Sequence, residues 1–75
     1  MTPFVVPQLG NEVEEAEVNE WLKADGEMVE EGEPIVNIST TKMAMDLDAP
    51  ASGVLKIVVE EGEIAKVGAT LAEIG

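Results

Sequence analysis

The chain has 75 residues, and its 16 acidic side chains against four Lys, with no Arg and no His, give a formal charge of −12. A chain of this length buries only roughly 60% of the surface that its unfolded form exposes, so it supports one small core and no deep active site. The lack of Cys and His removes the usual nucleophile, general base and zinc ligands, and four scattered Lys cannot form a basic face. We therefore expect no catalytic residues, no metal site and no nucleic-acid or membrane partner.

The N-terminal stretch MTPFVVPQLGN is the longest uncharged segment of the chain and carries two Pro. It has no basic region ahead of an apolar run and is too short to span a bilayer, so we expect neither a signal peptide nor a membrane helix. The composition predicts a cytoplasmic protein. The start at Met1 without a transit peptide favours a prokaryotic one.

An internal duplication with an offset of 36 residues is the most informative pattern. Residues 18–38 align without gaps to residues 54–74. Two pairs of Gly recur at the same positions, and because Gly adopts a positive φ without steric cost, both copies are expected to turn at the same two places. The identical pairs are Val18/Val54, Gly26/Gly62, Glu27/Glu63, Gly32/Gly68 and Ile38/Ile74.

Residues 13–23 are ambiguous alone, because their apolar spacing also suits a helix. The second copy favours a strand, since residues 54–59 form a β-branched run bounded by Gly53 and Gly62. Each copy is then strand, turn, strand, and neither can bury its apolar face alone. We predict an all-β fold, an antiparallel two-sheet sandwich or flattened barrel with internal quasi-twofold symmetry.

Between the copies, residues 39–48 are predicted to form a hairpin that turns at Thr41-Lys42. Apolar and polar residues alternate on both sides of this point, and without Gly or Asn a type I turn is favoured over the I′ and II′ types. Lys42 would then project from the tip of a rigid scaffold. Such an amine suits enzymatic acylation; the alternative is a solvated turn lysine.

Three motifs carry a resemblance to a known family. Residues 6–10, Val-Pro-Gln-Leu-Gly, look like an (M/V)-P-x-L-G opening, and the segment from Trp21 to Val29 is similar to W-x-x-x-x-G-D-x-V. Thr40-Thr41-Lys42, followed by Ala49-Pro50 and Gly53, resembles T-D-K…A-P-x-x-G. Over nearly its whole length the chain resembles the biotinyl/lipoyl attachment domains, and among them the lipoyl domains of 2-oxo acid dehydrogenase acyltransferases.

The resemblance implies a single carrier domain over residues 1–75, folded as two four-stranded antiparallel sheets and not catalytic on its own. It implies that Lys42, flanked by Thr41 and Met43, receives lipoate through an amide from a lipoate-attaching enzyme. The arm would carry acyl groups and reducing equivalents between a thiamin-dependent 2-oxo acid decarboxylase, an acyltransferase core and dihydrolipoyl dehydrogenase. The isolated domain is expected to be monomeric.

Two alternatives stay open. Lipoyl domains usually have an acid before the Lys and often Ala after it, where this chain has Thr41 and Met43. Lys-Met is also the second half of the Met-Lys-Met motif of biotin carrier domains, so a biotin carrier of a biotin-dependent carboxylase is the first alternative. An unmodified acidic module that docks a basic protein is the second.

Acidic residues are concentrated in the first half, where residues 1–38 hold ten of them against Lys23. We expect one strongly negative face rather than a cation site, because no calcium-loop spacing is present. Met28, Met43 and Met45 are expected to fill the core. The acids considered are Glu12, Glu14, Glu15, Glu17, Glu20, Glu30, Glu31 and Glu33.

Overall fold

The computed structural model describes residues 1–10 and 13–75, and within these ranges it contains eight strands and no helix. The predicted all-β class is therefore confirmed. The ambiguous segment is a strand because Ala16 and Val18 alternate with exposed Glu residues, so that only one face of the segment is buried. The strands are β1 (Thr2–Val5), β2 (Glu15–Trp21), β3 (Met28–Val29), β4 (Pro34–Ser39), β5 (Ala44–Asp48), β6 (Gly53–Ile57), β7 (Ile64–Lys66) and β8 (Thr70–Ile74).

The strands form two four-stranded antiparallel sheets, as predicted. One has the order β5-β4-β2-β7 and is called the hairpin sheet, because β4 and β5 are joined by a tight turn. The other has the order β1-β8-β6-β3 and is called the terminal sheet, because β1 and β8 begin and end the described chain. No helix of the described residues is long and apolar enough to cross a membrane.

The two sheets are related strand for strand, β1 to β5, β8 to β4, β6 to β2 and β3 to β7. The last strand of each order comes from the other copy of the repeat: β3 pairs with β6, and β7 pairs with β2. The copies thus exchange a strand rather than stacking as separate units. Each sheet is incomplete without both copies, which gives one cooperative core.

The core consists of apolar residues that alternate along the strands, such as Ile35, Leu55 and Leu71, each fully buried. Met45 packs against it from β5. The expectation that Met28 fills the core is wrong, because its side chain is 66% exposed. In the two-residue strand β3 the inward position belongs to Val29, so its neighbour must point outward.

The repeated Gly pairs occupy the predicted turns. Gly26 and Gly62 have φ of 86° and 85°, and Gly32 and Gly68 have φ of 85° and 90°. No non-Gly residue in the described ranges has a positive φ. The identity of these glycines in both copies is therefore a backbone requirement.

Candidate functional site

The turn between β4 and β5 presents the residue for which attachment is expected. Ser39 pairs with Ala44, and the Thr40 amide donates to the Met43 carbonyl at 2.7 Å, which closes the hairpin. Thr41 and Lys42 are the two residues at its tip, and both are exposed. The predicted position of Lys42 at the tip of a hairpin therefore agrees with the structure.

Thr41 and Lys42 both have negative φ. These signs exclude turn types I′, II′ and II, each of which needs a positive φ at a central residue. Primed turns match the right-handed twist of paired strands, whereas a two-residue turn with negative φ at both positions tends to splay them. This hairpin therefore needs additional bonds to stay closed.

The Thr40 side chain supplies those bonds. Its Oγ1 accepts the amide of Lys42 at 3.3 Å and the amide of Met43 at 3.2 Å, and it donates to the Met43 carbonyl at 3.3 Å. Sequence reasoning placed Thr40 in the motif but gave it no role. The available signal was a Thr at the first position of a turn, where a hydroxyl can replace a backbone acceptor.

The residues flanking Lys42 are both surface residues. Met43 is 45% exposed, so the expectation that it fills the core is wrong; it lies within the turn, outside the alternation that buries Met45. On the Thr41 side, a shallow groove of about 320 Å³ runs from the hairpin toward β7. The exposed side chain of Ile64 lines its far wall.

The outer face of the hairpin sheet is strongly acidic. Exposed carboxylates alternate along β2 and β5, and a bulge after Val18 turns two consecutive residues, Asn19 and Glu20, outward. The expected negative face is present, although β5 from the second half of the chain contributes to it. Its charged residues are Glu15, Glu17, Glu20, Asp46, Asp48 and Lys66.

A chain of side-chain hydrogen bonds crosses this acidic face. Ser39 donates to Asn19 at 3.0 Å, Asn19 donates to Asn37 at 2.9 Å, and Asn37 donates to Asp46 at 2.8 Å. These bonds link β2, β4 and β5 next to the hairpin. They tie the strands that support Lys42 to one another.

The remaining acidic residues do not converge on a metal site. Within residues 1–10 and 13–75 no group of three or more Asp or Glu is placed to hold an ion. Glu33 pairs instead with Lys23, at 3.4 Å. Glu12, which sequence reasoning included in the negative face, lies outside the described residues.

A second, larger cleft of about 700 Å³ opens beside Trp21, well away from the hairpin. Two of its four carboxylates bond to the backbone: Glu61 accepts the Trp21 amide and Asp25 accepts the Ile57 amide. The Trp21 indole donates to the Val59 carbonyl. These groups hold the two copies together, so the hairpin is the better candidate for function.

The biotin/lipoyl family model, described as "Biotin-requiring enzyme", matches residues 2–74. A solution structure of the lipoyl domain of the 2-oxoglutarate dehydrogenase complex from Azotobacter vinelandii is similar over all of this chain and 96% of that one. The TM-score is 0.80 at 32% sequence identity.

Similar curated proteins include two bacterial acetyltransferase components of pyruvate dehydrogenase complexes. The dihydrolipoyllysine-residue acetyltransferase of Corynebacterium glutamicum is 37% identical over 99% of this chain, and that of Mycobacterium bovis is 45% identical over 97%. A succinyltransferase component of the 2-oxoglutarate dehydrogenase complex from Bartonella vinsonii is 38% identical over 97%. The chain spans 11%, 13% and 18% of the length of these three relatives.

Proposed function

This chain belongs to the biotinyl/lipoyl attachment domain family and has the role of a lipoyl carrier, and from that premise we propose that Lys42 is the residue that bears lipoate. The observation that carries the proposal is the position of Lys42, exposed at the tip of a closed hairpin. Lys23, by contrast, is only partly exposed and lies away from the hairpin. Lys56 and Lys66 lie within strands.

Attachment to Lys42 is a simple acyl transfer. The Nζ of Lys42 forms an amide with the carboxyl carbon of lipoate after the attaching enzyme has activated it as an adenylate. The bond from the carboxyl carbon to AMP would break, AMP would leave, and the Lys42 ammonium would release two protons to solvent while the amide nitrogen keeps one. The exposed turn fits this step, because an enzyme has to reach only the tip and the supporting sheet stays folded.

The proposed role is transport between active sites on other proteins. A bound lipoyl group supplies a disulfide that can accept an acyl group and electrons and pass both on. This chain supplies the rigid support, the exposed amine and an acidic surface. We propose as partners a thiamin-dependent 2-oxo acid decarboxylase, an acyltransferase core and dihydrolipoyl dehydrogenase, within a larger acyltransferase of which this domain, residues 1–75, is the non-catalytic carrier.

Biotin is the second candidate for the group on Lys42, because Met43 follows the Lys as it does in biotin carriers. Lipoate is better supported, since the similar structure is a lipoyl domain and the similar curated proteins are dihydrolipoyllysine acyltransferases. The unmodified docking module has the acidic face in its favour. A bacterial cytoplasmic location stays a prediction.

An intact-mass measurement on the protein from its own cells tests the proposal. A lipoyl adduct that maps to Lys42 in a peptide digest is the expected result, and a biotinyl adduct differs from it by tens of daltons. Unmodified protein under lipoate-replete conditions would support the docking module instead.

The variant Lys42→Ala provides the matched control. It should abolish attachment and change the free energy of unfolding by no more than about 0.5 kcal/mol, because an exposed turn side chain contributes little. Modification that persists in this variant would contradict the assignment.

A further inference from the structure

We infer that Thr40 is a positioning residue for the modification of Lys42: its hydroxyl holds the turn in the one conformation in which an attaching enzyme can receive the amine. This inference rests on the proposed function. It concerns a residue that lies beside the exposed tip and outside the core.

The hydroxyl of Thr40 makes three bonds within four residues. Two of them hold the amides of Lys42 and Met43, which are the peptide units on either side of the Lys42 α-carbon. The third reaches the Met43 carbonyl, which also accepts the Thr40 amide at 2.7 Å. One side chain therefore fixes the backbone on both sides of Lys42.

No backbone bond replaces these contacts. In the part of the chain that the structure describes, the Met43 amide donates to the Thr40 hydroxyl and not to the Thr40 carbonyl, which would be its partner in a closed β-turn. The negative φ values of Thr41 and Lys42 oppose the strand twist, as described above. Without the hydroxyl, the bond from the Thr40 amide to the Met43 carbonyl remains, but the Met43 amide loses its acceptor among the described residues, and the tip samples several conformations.

Conformational sampling at the tip has a specific kinetic consequence. When only a fraction of molecules holds the competent conformation, the apparent affinity for the enzyme falls by that fraction. Once bound, the amine reacts normally. Loss of the Thr40 hydroxyl should therefore raise KM for the protein substrate and leave kcat nearly unchanged.

The neighbouring residue gives a matched control. Thr41 has the same side chain one position along, and within residues 1–10 and 13–75 the structure gives its hydroxyl no hydrogen bond. Thr40→Val and Thr41→Val thus make the same chemical change, deletion of a hydroxyl with the shape retained. Only the first change removes the turn bonds. Thr40→Ser keeps the hydroxyl and is the rescue variant.

The experiment measures lipoate attachment by a lipoate–protein ligase with ATP and free lipoate, followed by intact mass at several protein concentrations. Thr40→Val should raise KM about tenfold, equivalent to 1.4 kcal/mol, whereas Thr41→Val and Thr40→Ser should match wild type. Amide hydrogen exchange at Lys42 and Met43 should accelerate only in Thr40→Val.

The outcomes separate the inference from the function on which it rests. Wild-type protein that is not modified at Lys42 would overturn the proposed function. Equal KM values for wild type and Thr40→Val would overturn the inference and leave the proposed function standing. The same conclusion would follow if Thr40→Ser were modified as slowly as Thr40→Val. The urea midpoint of Thr40→Val should fall by no more than the equivalent of the tenfold change in KM, 1.4 kcal/mol, while that of Thr41→Val stays at the wild-type value. Hydrogen exchange that accelerates throughout the strands of Thr40→Val, rather than at Lys42 and Met43, would assign Thr40 to global stability and overturn the inference.

Discussion

The hairpin sheet and the terminal sheet have the same strand order and nearly the same turns. The bond from Gly32 to the Ala49 carbonyl in one half corresponds to the bond from Gly68 to the Val6 carbonyl in the other, each 2.9 Å. Two carboxylates are also equivalent: Asp25 accepts the Ile57 amide and Glu61 accepts the Trp21 amide, each across the quasi-twofold axis. The duplicated parts of the sequence therefore build and join the framework.

The outer faces of the two sheets differ. The hairpin sheet carries five exposed carboxylates and the hydrogen-bonded chain from Ser39 to Asp46. The terminal sheet exposes Met28 and Val54 as a cross-strand pair, and its Lys56 lies opposite Glu73, so its charge is nearly balanced. Outward-facing side chains do not take part in the packing of one sheet on the other, so their charge can differ between the two sheets without changing the fold.

The connections at equivalent strand ends differ as well. The hairpin joins β4 to β5, which follow one another in the sequence, whereas the equivalent strands β8 and β1 pair with each other but are separated by six other strands along the chain. Lys42 therefore has no counterpart in the terminal sheet. The repeated residues therefore build the fold, and the proposed chemistry depends on the hairpin between the two copies.

Moving the amine should have the largest effect. In a Lys42→Ala background, Thr41→Lys and Met43→Lys should each be modified at least about a hundredfold more slowly, because each turn position projects its side chain from a different point of the tip and small displacements of a reacting group are costly. Mass spectrometry after treatment with the ligase measures the rate. Lys56, exposed on the terminal sheet, serves as the internal control and should stay unmodified. Equal modification of the shifted variants would show that the enzyme recognises a linear peptide.

Replacing either of the equivalent glycines Gly26 and Gly62 should have the next largest effect. Gly26→Val and Gly62→Val should each cost on the order of 1–2 kcal/mol or more through backbone strain, and the two costs should be similar. Both positions have open space where a Cβ would lie, so strain at positive φ is the common cause. Urea midpoints at constant m-value measure it. Gly26→Asn, which tolerates positive φ better, should cost less. Unequal costs for the two Val variants would show that the turns are not energetically equivalent.

Removing the two carboxylates that cross the quasi-twofold axis should have a smaller effect. Asp25→Ala and Glu61→Ala should each cost about 1 kcal/mol, because a backbone amide at a strand end loses its acceptor. Asp25→Asn and Glu61→Gln remove the same charge and keep an oxygen acceptor, so they should retain most of the stability. Thermal or urea unfolding distinguishes the pairs. If the amide variants lose as much as the Ala variants, charge rather than the hydrogen bond is responsible.

The smallest effect is expected at Thr41. Thr41→Asp introduces the acid that usually precedes the Lys in lipoyl domains. The rate of lipoate attachment should stay within about twofold of wild type, since among the described residues the bonds that close the turn come from Thr40 and Met43 and not from Thr41. The same time course by intact mass measures it. A large acceleration would show that the ligase recognises the side chain at this position in addition to the turn.

The sequence predicted the elements that depend on local pattern and on duplication. Alternation identified the hairpin strands, and the second copy corrected the helical appearance of residues 13–23. Neither the alternation nor the repeat could identify the role of Thr40, because that role depends on the sign of φ at Thr41 and Lys42. A second duplication also went unnoticed: Val6-Pro7 and Gly10 correspond to Ala49-Pro50 and Gly53, at an offset of 43 rather than 36.

The sequence by itself determined the all-β class, the four repeated turns that require Gly and the position of one amine at a hairpin tip, because each of these follows from local pattern and from the duplication along the chain. Only the tertiary structure decided that the copies exchange strands, that Asp25 and Glu61 bond across them, and that Met28 points outward. The exchanged strands pair residues 24 to 26 and 47 to 51 positions apart, and the two carboxylate bonds join residues 32 and 40 positions apart. Local pattern specifies which face of a strand is apolar; it does not specify which strand that face will meet, and that choice is made when both copies pack into one core.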